Sequence, residues 1–274
     1  MNTTAIAAIA LVLSLGLVAP ASADEFEDAG VALNRGDYAT ANRIFRALAE
    51  QGDPRAQTML GVMYNKGTGV PEDAEEAARW FRKAADQDFD YAQFMLGNKH
   101  YHGRGVPQDY AEALKWYRRA AEQGHPDAQY NLGLMIFSGN GIPQDYAEAA
   151  KWLRKAAEQG DDKAQFGLGS MYKDGKGVPQ DYAEAAKWLR KAADQGHPRA
   201  QNDIGIMYGV GQGVPQDYVQ AHMWFNLAAA TFPAPEKESR DKAVGNRDSI
   251  EDMMTPDQIA EAQKLARMWK PKAE

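Results

Sequence analysis

Five prolines stand at one interval: Pro71, Pro107, Pro143, Pro179 and Pro215 are each 36 residues apart. Five tryptophans (Trp80, Trp116, Trp152, Trp188, Trp224) and five alanines (Ala56, Ala92, Ala128, Ala164, Ala200) keep the same step. The glycine pair Gly67/Gly69 recurs as Gly103/Gly105, Gly139/Gly141, Gly175/Gly177 and Gly211/Gly213. A register that never slips constrains the fold strongly. Each copy is one supersecondary unit, and neighbours must stack because one unit cannot bury its apolar face alone. The copies run 53–88, 89–124, 125–160, 161–196 and 197–231.

Each copy reads as two antiparallel helices. In the third, Ala128, Leu132 and Ile136 form one face of a first helix over Pro126–Phe137, which Gly139 and Gly141 then stop. The second helix starts at Asp145, whose carboxylate is placed to cap free backbone N–H groups, with Glu148 in capping-box position. Asp73/Glu76, Asp109/Glu112, Asp181/Glu184 and Asp217/Gln220 repeat that pair. Ala149, Trp152, Leu153, Ala156 and Ala157 are predicted to face inward.

These residues resemble the Sel1-like repeat family, a relative of the tetratricopeptide repeats. The matching segments are Ala128-Gln129…Leu132-Gly133, Gly139-Asn140-Gly141-Ile142-Pro143 and Ala149…Trp152-Leu153…Ala156-Ala157. The resemblance implies an all-α, right-handed α-solenoid that works as a protein–protein interaction adaptor, with first helices lining a concave groove. Residues 24–52, with Ala29…Gly36-Asp37-Tyr38…Ala41…Phe45, look like a tetratricopeptide unit capping the start. The tail, 232–274, is predicted to cap the end. There Thr255, Pro256 and Gln258 start a helix whose stripe is Ile259, Ala262, Leu265, Ala266 and Trp269.

Residues 1–23 read as a secretory leader. The apolar run Ala5–Val18 is followed by Ala21-Ser22-Ala23, which predicts cleavage after Ala23 and a periplasmic or secreted protein. No later stretch is long and apolar enough to span a bilayer. With no cysteine there are no disulfides and no thiolate metal sites, and a net charge of -7 argues against nucleic acid as partner.

Catalytic, metal and cofactor sites are not expected. Ser170-Met171-Tyr172-Lys173 matches the S-x-x-K of β-lactamases and penicillin-binding proteins, but the S-D-N and K-T-G elements are missing. Matching positions hold Val62, Asn98, Leu134 and Ile206, so Ser170 occupies a variable helix position. His100 and His102 are two apart on a helix and point to different sides. His125 and His197 start first helices, as Asp53 and Asp161 do, and His222 stands alone.

Positions that vary among the copies are free to meet a ligand. On the first helices these are Tyr91, Phe94, Asn98 and Tyr101 in the second copy, Tyr130, Asn131, Leu134 and Phe137 in the third, and Phe166 and Lys173 in the fourth. Aromatics among amides suit a protein or peptide, with rings as anchors. For Phe94, Tyr130 and Phe166, packing on the neighbouring copy is the competing reading. Lys115, Arg118 and Arg119 read as a solvated face. Two further functions stand as alternatives: action on β-lactam or peptidoglycan fragments, and binding of cell-wall glycan through the aromatic faces.

Overall fold

The structure, a computed structural model, describes residues 20–272; these form fourteen α-helices and one short 3-10 turn, with no strand among them. The contacts divide the chain into two compact units, one ending at Ala128 and one beginning at Gln129. The first holds α1 (Pro20–Asn34), α2 (Tyr38–Glu50), α3 (Pro54–Lys66), α4 (Ala74–Ala85), α5 (Asp90–His102) and α6 (Tyr110–Glu122). Helix α7 (Pro126–Ser138) crosses the division. The second continues with α8 (Tyr146–Glu158), α9 (Asp162–Asp174), α10 (Tyr182–Asp194), α11 (Pro198–Val210), α12 (Tyr218–Thr231), α13 (Lys237–Glu251) and α14 (Pro256–Met268). Through α12, helix pairs pack in series within each unit, the all-α repeat architecture expected. The sequence-predicted leader lies outside the described residues except for 20–23, which begin α1.

Local chemistry accounts for the repeated pair. The carboxylates of Asp73, Asp109, Asp145, Asp181 and Asp217 each accept the backbone N–H three residues on, at 2.9–3.0 Å. The reciprocal half of the capping box is a correction to the sequence reading. Glu112, Glu148 and Glu184 turn along their helices and accept the indole N–H of Trp116 (3.0 Å), Trp152 (3.4 Å) and Trp188 (3.2 Å). The reason is tertiary: the backbone N–H of each capping Asp is already given to the preceding first helix, as from Asp109 to the His100 carbonyl (2.9 Å). A part-buried indole N–H is costly to leave unpaired, so the glutamate serves it instead. The capping box predicted at Thr255/Gln258 does form, because nothing competes for the Thr255 N–H.

Two glycine positions set how closely helices approach. A Cβ on Gly169 would lie 2.8 Å from Leu189 Cγ, so the glycine admits the second helix of its own repeat. In the loops, Gly177 has φ +71 and lies on the start of the previous repeat's second helix, where a Cβ would be 2.1 Å from the Tyr146 carbonyl oxygen.

Polar ladders run with the same period. Arg46 and Arg190 donate to the hydroxyls of Tyr64 (2.6 Å) and Tyr208 (3.1 Å) on the next first helix, and Arg154 does so to Tyr172. Gln57, Gln93, Gln129 and Gln165 each accept from a glutamine thirty residues on, at 2.8–3.0 Å. Lys115 and Arg119, read as solvated, also lie over the Trp116 ring, 5.2 and 5.1 Å from its centroid.

The tail breaks the series: α13 and α14 each pack on α12 instead of forming a sixth pair. From the α14 stripe, Leu265, Ala266 and Trp269 pack on the cluster around Trp224, with the two indoles 6.3 Å apart.

Candidate partner-binding site

The sequence-predicted site residues fall in both units. In the first, Tyr91, Phe94, Asn98 and Tyr101 lie along α5, all half-buried. Phe94 stacks on the His125 imidazole with ring centroids 4.8 Å apart, and Tyr91 lies 5.9 Å from the same ring. Asn98 accepts a hydrogen bond from the Tyr117 hydroxyl (2.7 Å), and Tyr101 meets Tyr110 edge-on at 5.3 Å. In the second unit, Phe166 stacks on His197 at 4.6 Å. Burial, with the Asp161 and Asp162 carboxylates, raises the Tyr130 phenol above its ordinary range. Phe94 and Phe166 therefore pack on the residue that precedes the next repeat's first helix.

His125 and His197 are built in as caps. Their Nδ1 atoms accept the N–H of Ala128 (3.3 Å) and Ala200 (3.2 Å). Burial, the largest influence, lowers both pKa values and favours the neutral imidazole that this cap requires.

Leu134, Phe137, Leu153, Phe166, Gly167 and Met171 line an apolar cleft of about 200 Å³ between α7 and α9. Leu134 is the most exposed of these six, at 40%. The cleft has a sequence origin. One repeat later, the positions of Phe137 and Gly167 are Lys173 and Asp203, which close the joint with an ion pair at 2.5 Å. A second, more polar cleft of about 560 Å³ shares Phe166 and adds Tyr130, Lys163, His197, Arg199 and Glu236. Arg199 and Glu236 pair there at 2.9 Å. Asn131, half-buried on α7, lines neither cleft.

The comparisons with known proteins agree with this architecture. Residues 54–89, 90–125, 126–161, 162–197 and 198–230 each match the Sel1 repeat. The chain belongs to the Sel1 repeat family. A Sel1 repeat protein from Oxalobacter formigenes, known from its crystal structure, is 34% identical, with 89% of this chain and 96% of that one covered and a TM-score of 0.72. The protective antigen c5321 of uropathogenic Escherichia coli, which displays an SLR fold, is 27% identical, with 98% and 72% covered and a TM-score of 0.43. No curated protein matches the chain.

Within this Sel1 repeat frame the remaining motifs take structural places. The Ser170 hydroxyl donates to the Phe166 carbonyl of its own helix (2.9 Å), while Lys173 is held by Asp203. As placed, the two do not form a nucleophile–base pair. His100 is buried with Arg82 3.0 Å from its Nε2, taking the tyrosine's place in the arginine ladder, while His102 is exposed. No group of three or more potential metal ligands occurs among the described residues, and no described helix is long and apolar enough to cross a membrane.

His222, fully buried, was not singled out as a structural contact by the sequence. Its Nε2 lies 2.6 Å from Glu251 on α13. The partner is 29 residues away in a tail outside the repeat register, so no local pattern announces it. The glutamine ladder was missed too, although its period of 36 is present in the sequence.

Proposed function

We propose that this Sel1 repeat protein is an exported, non-enzymatic scaffold that binds a protein or peptide partner in a groove lined by its first helices. The observation that carries this reading is the apolar cleft between α7 and α9, bounded by Leu134, Phe137 and Phe166. The Leu134, Phe137, Phe166 and Gly167 positions vary from repeat to repeat, whereas the buried Leu153 and Met171, like the other repeated residues, are consumed in packing, caps and ladders. The export part of the reading rests on the run Ala5–Val18 and on Ala21-Ser22-Ala23.

The test uses immobilised residues 24–274 and a Tyr101/Tyr130/Phe137→Ala variant of equal helicity, each exposed to envelope proteins. A protein held by the parent, lost by the variant and bound again after purification supports the groove. Equal capture by both moves the binding surface away from the first helices. Competition by muropeptides favours the glycan alternative.

A further inference from the structure

The second unit contains three joints at which a first helix meets the next first helix or, at the end, tail helix α13, and the same register position takes part in each. At the middle joint, between α9 and α11, Lys173 meets Asp203 in an ion pair. At the last, between α11 and α13, the matching residue is Gly209, and Ile250 of α13 lies over it, its Cδ1 2.8 Å from where a glycine Cβ would stand. One turn earlier on α13, Asn246 donates to Asn202 of α11 (3.0 Å). Two joints are thus closed by the chain's own side chains, one by charge and one by an aliphatic group.

The first joint, between α7 and α9, is open. It pairs Phe137 with Gly167, but no atom of Phe137 comes within 4 Å of a Cβ built on Gly167; only Leu153 does, at 3.6 and 3.9 Å. The space left is the cleft of about 200 Å³. A buried cavity of ~150 Å³ accommodates benzene, so this volume takes one side chain of leucine, methionine or phenylalanine size. The charges on its rim, Asp174 and Lys176, pair with each other at 3.4 Å and leave the mouth without net charge. A charged occupant would lose its hydration with no counter-charge to meet.

We infer that the Gly167 cleft is the anchor seat of the groove: it receives one uncharged aliphatic or phenyl side chain of a protein partner, as the joint at Gly209 receives Ile250. This rests on the groove reading above and specifies which residue type the partner must present. Gly167 is the residue that opens the seat, since the matching positions hold Met59, Met95, Asn131 and Asp203.

The test is a random linear peptide library displayed on phage and panned against residues 24–274. Enriched peptides are expected to share one Leu, Ile, Met or Phe whose replacement by Asp weakens binding at least ~10-fold. Gly167→Met, which installs the residue found at the matching places in two other repeats, is expected to weaken them as much. Leu134→Asp puts a charge at the mouth on an exposed residue and gives the same result without altering the helix interior, so misfolding of the first variant does not confuse the reading. Peptides indifferent to both variants but lost with Tyr130→Ala overturn the seat and leave the groove standing. Peptides indifferent to all three, or an absence of enriched peptides, overturn both.

Discussion

The fourth repeat holds two glycines with opposite surroundings. Gly177, in the loop, has positive φ and lies against the Tyr146 backbone, where a Cβ would sit 2.1 Å from a carbonyl oxygen. Gly167, inside α9, has open space beside it, with Leu153 at ordinary van der Waals distance. The first recurs at Gly105 and Gly213 with the same close contact; the second occurs in this repeat alone. Where the backbone of one repeat touches the next, the residue cannot drift. Where only a side chain faces the cleft, it can, as Met59, Met95, Asn131 and Asp203 at the matching positions show.

Substitutions at the two glycines should separate sharply. Gly177→Ala must relieve both a backbone clash and an unfavourable φ, and is expected to cost about 3 kcal/mol of unfolding free energy in a urea titration. A loss under about 1 kcal/mol would show that the loop can move off α8 and would break the comparison.

Acid tests the imidazoles on which Phe94 and Phe166 stack. Burial lowers the pKa values of His125 and His197 in the folded chain below the unfolded value of about 6.5. As pH falls below that value the unfolded chain takes up protons that the folded chain refuses, and stability declines. Asp90 and Asp127 face His125 and oppose the effect; around His197, Asp162 and Glu236 oppose it while Lys163 and Arg199 add to it. A loss approaching about 1 kcal/mol per cap is expected between pH 7.5 and 5. A His125→Asn/His197→Asn variant should keep its cap and show a flatter profile in thermal melts. Parallel profiles for the two proteins would remove the histidines as the cause.

Asp181→Ala removes a single cap from α10 and is expected to cost about 1 kcal/mol, measurable in the same titration. The smallest effect has the opposite sign. Gly167→Ala should raise stability by about 0.5–1 kcal/mol, because the backbone is helical and the methyl meets no clash. Destabilisation there would mean that the seat is as constrained as the loop.

Much of this fold is legible because the repeat prints it five times. Proline, tryptophan and glycine positions place every helix pair in the repeats, and the capping aspartates act where the spacing puts them. The glutamates three residues later were legible as cap partners and are not, since each competing N–H is used by the helix before. Among the candidate site residues, the variable stripe could be picked out by comparing copies. That Phe94 and Phe166 rest on imidazoles could not, because each stack joins residues 31 apart whose rings meet only after the repeats pack.

By itself, then, the sequence determines the period, the helices and their capping aspartates, and the family, since those depend on residues within one turn or one repeat of each other. Tertiary structure alone decides which joints between repeats are filled. Lys173 with Asp203 and Gly209 with Ile250 close two of them, while Phe137 and Gly167 leave one open. Whether a cavity remains depends on the summed shapes of side chains from two stacked layers, and no single segment of the chain contains that sum.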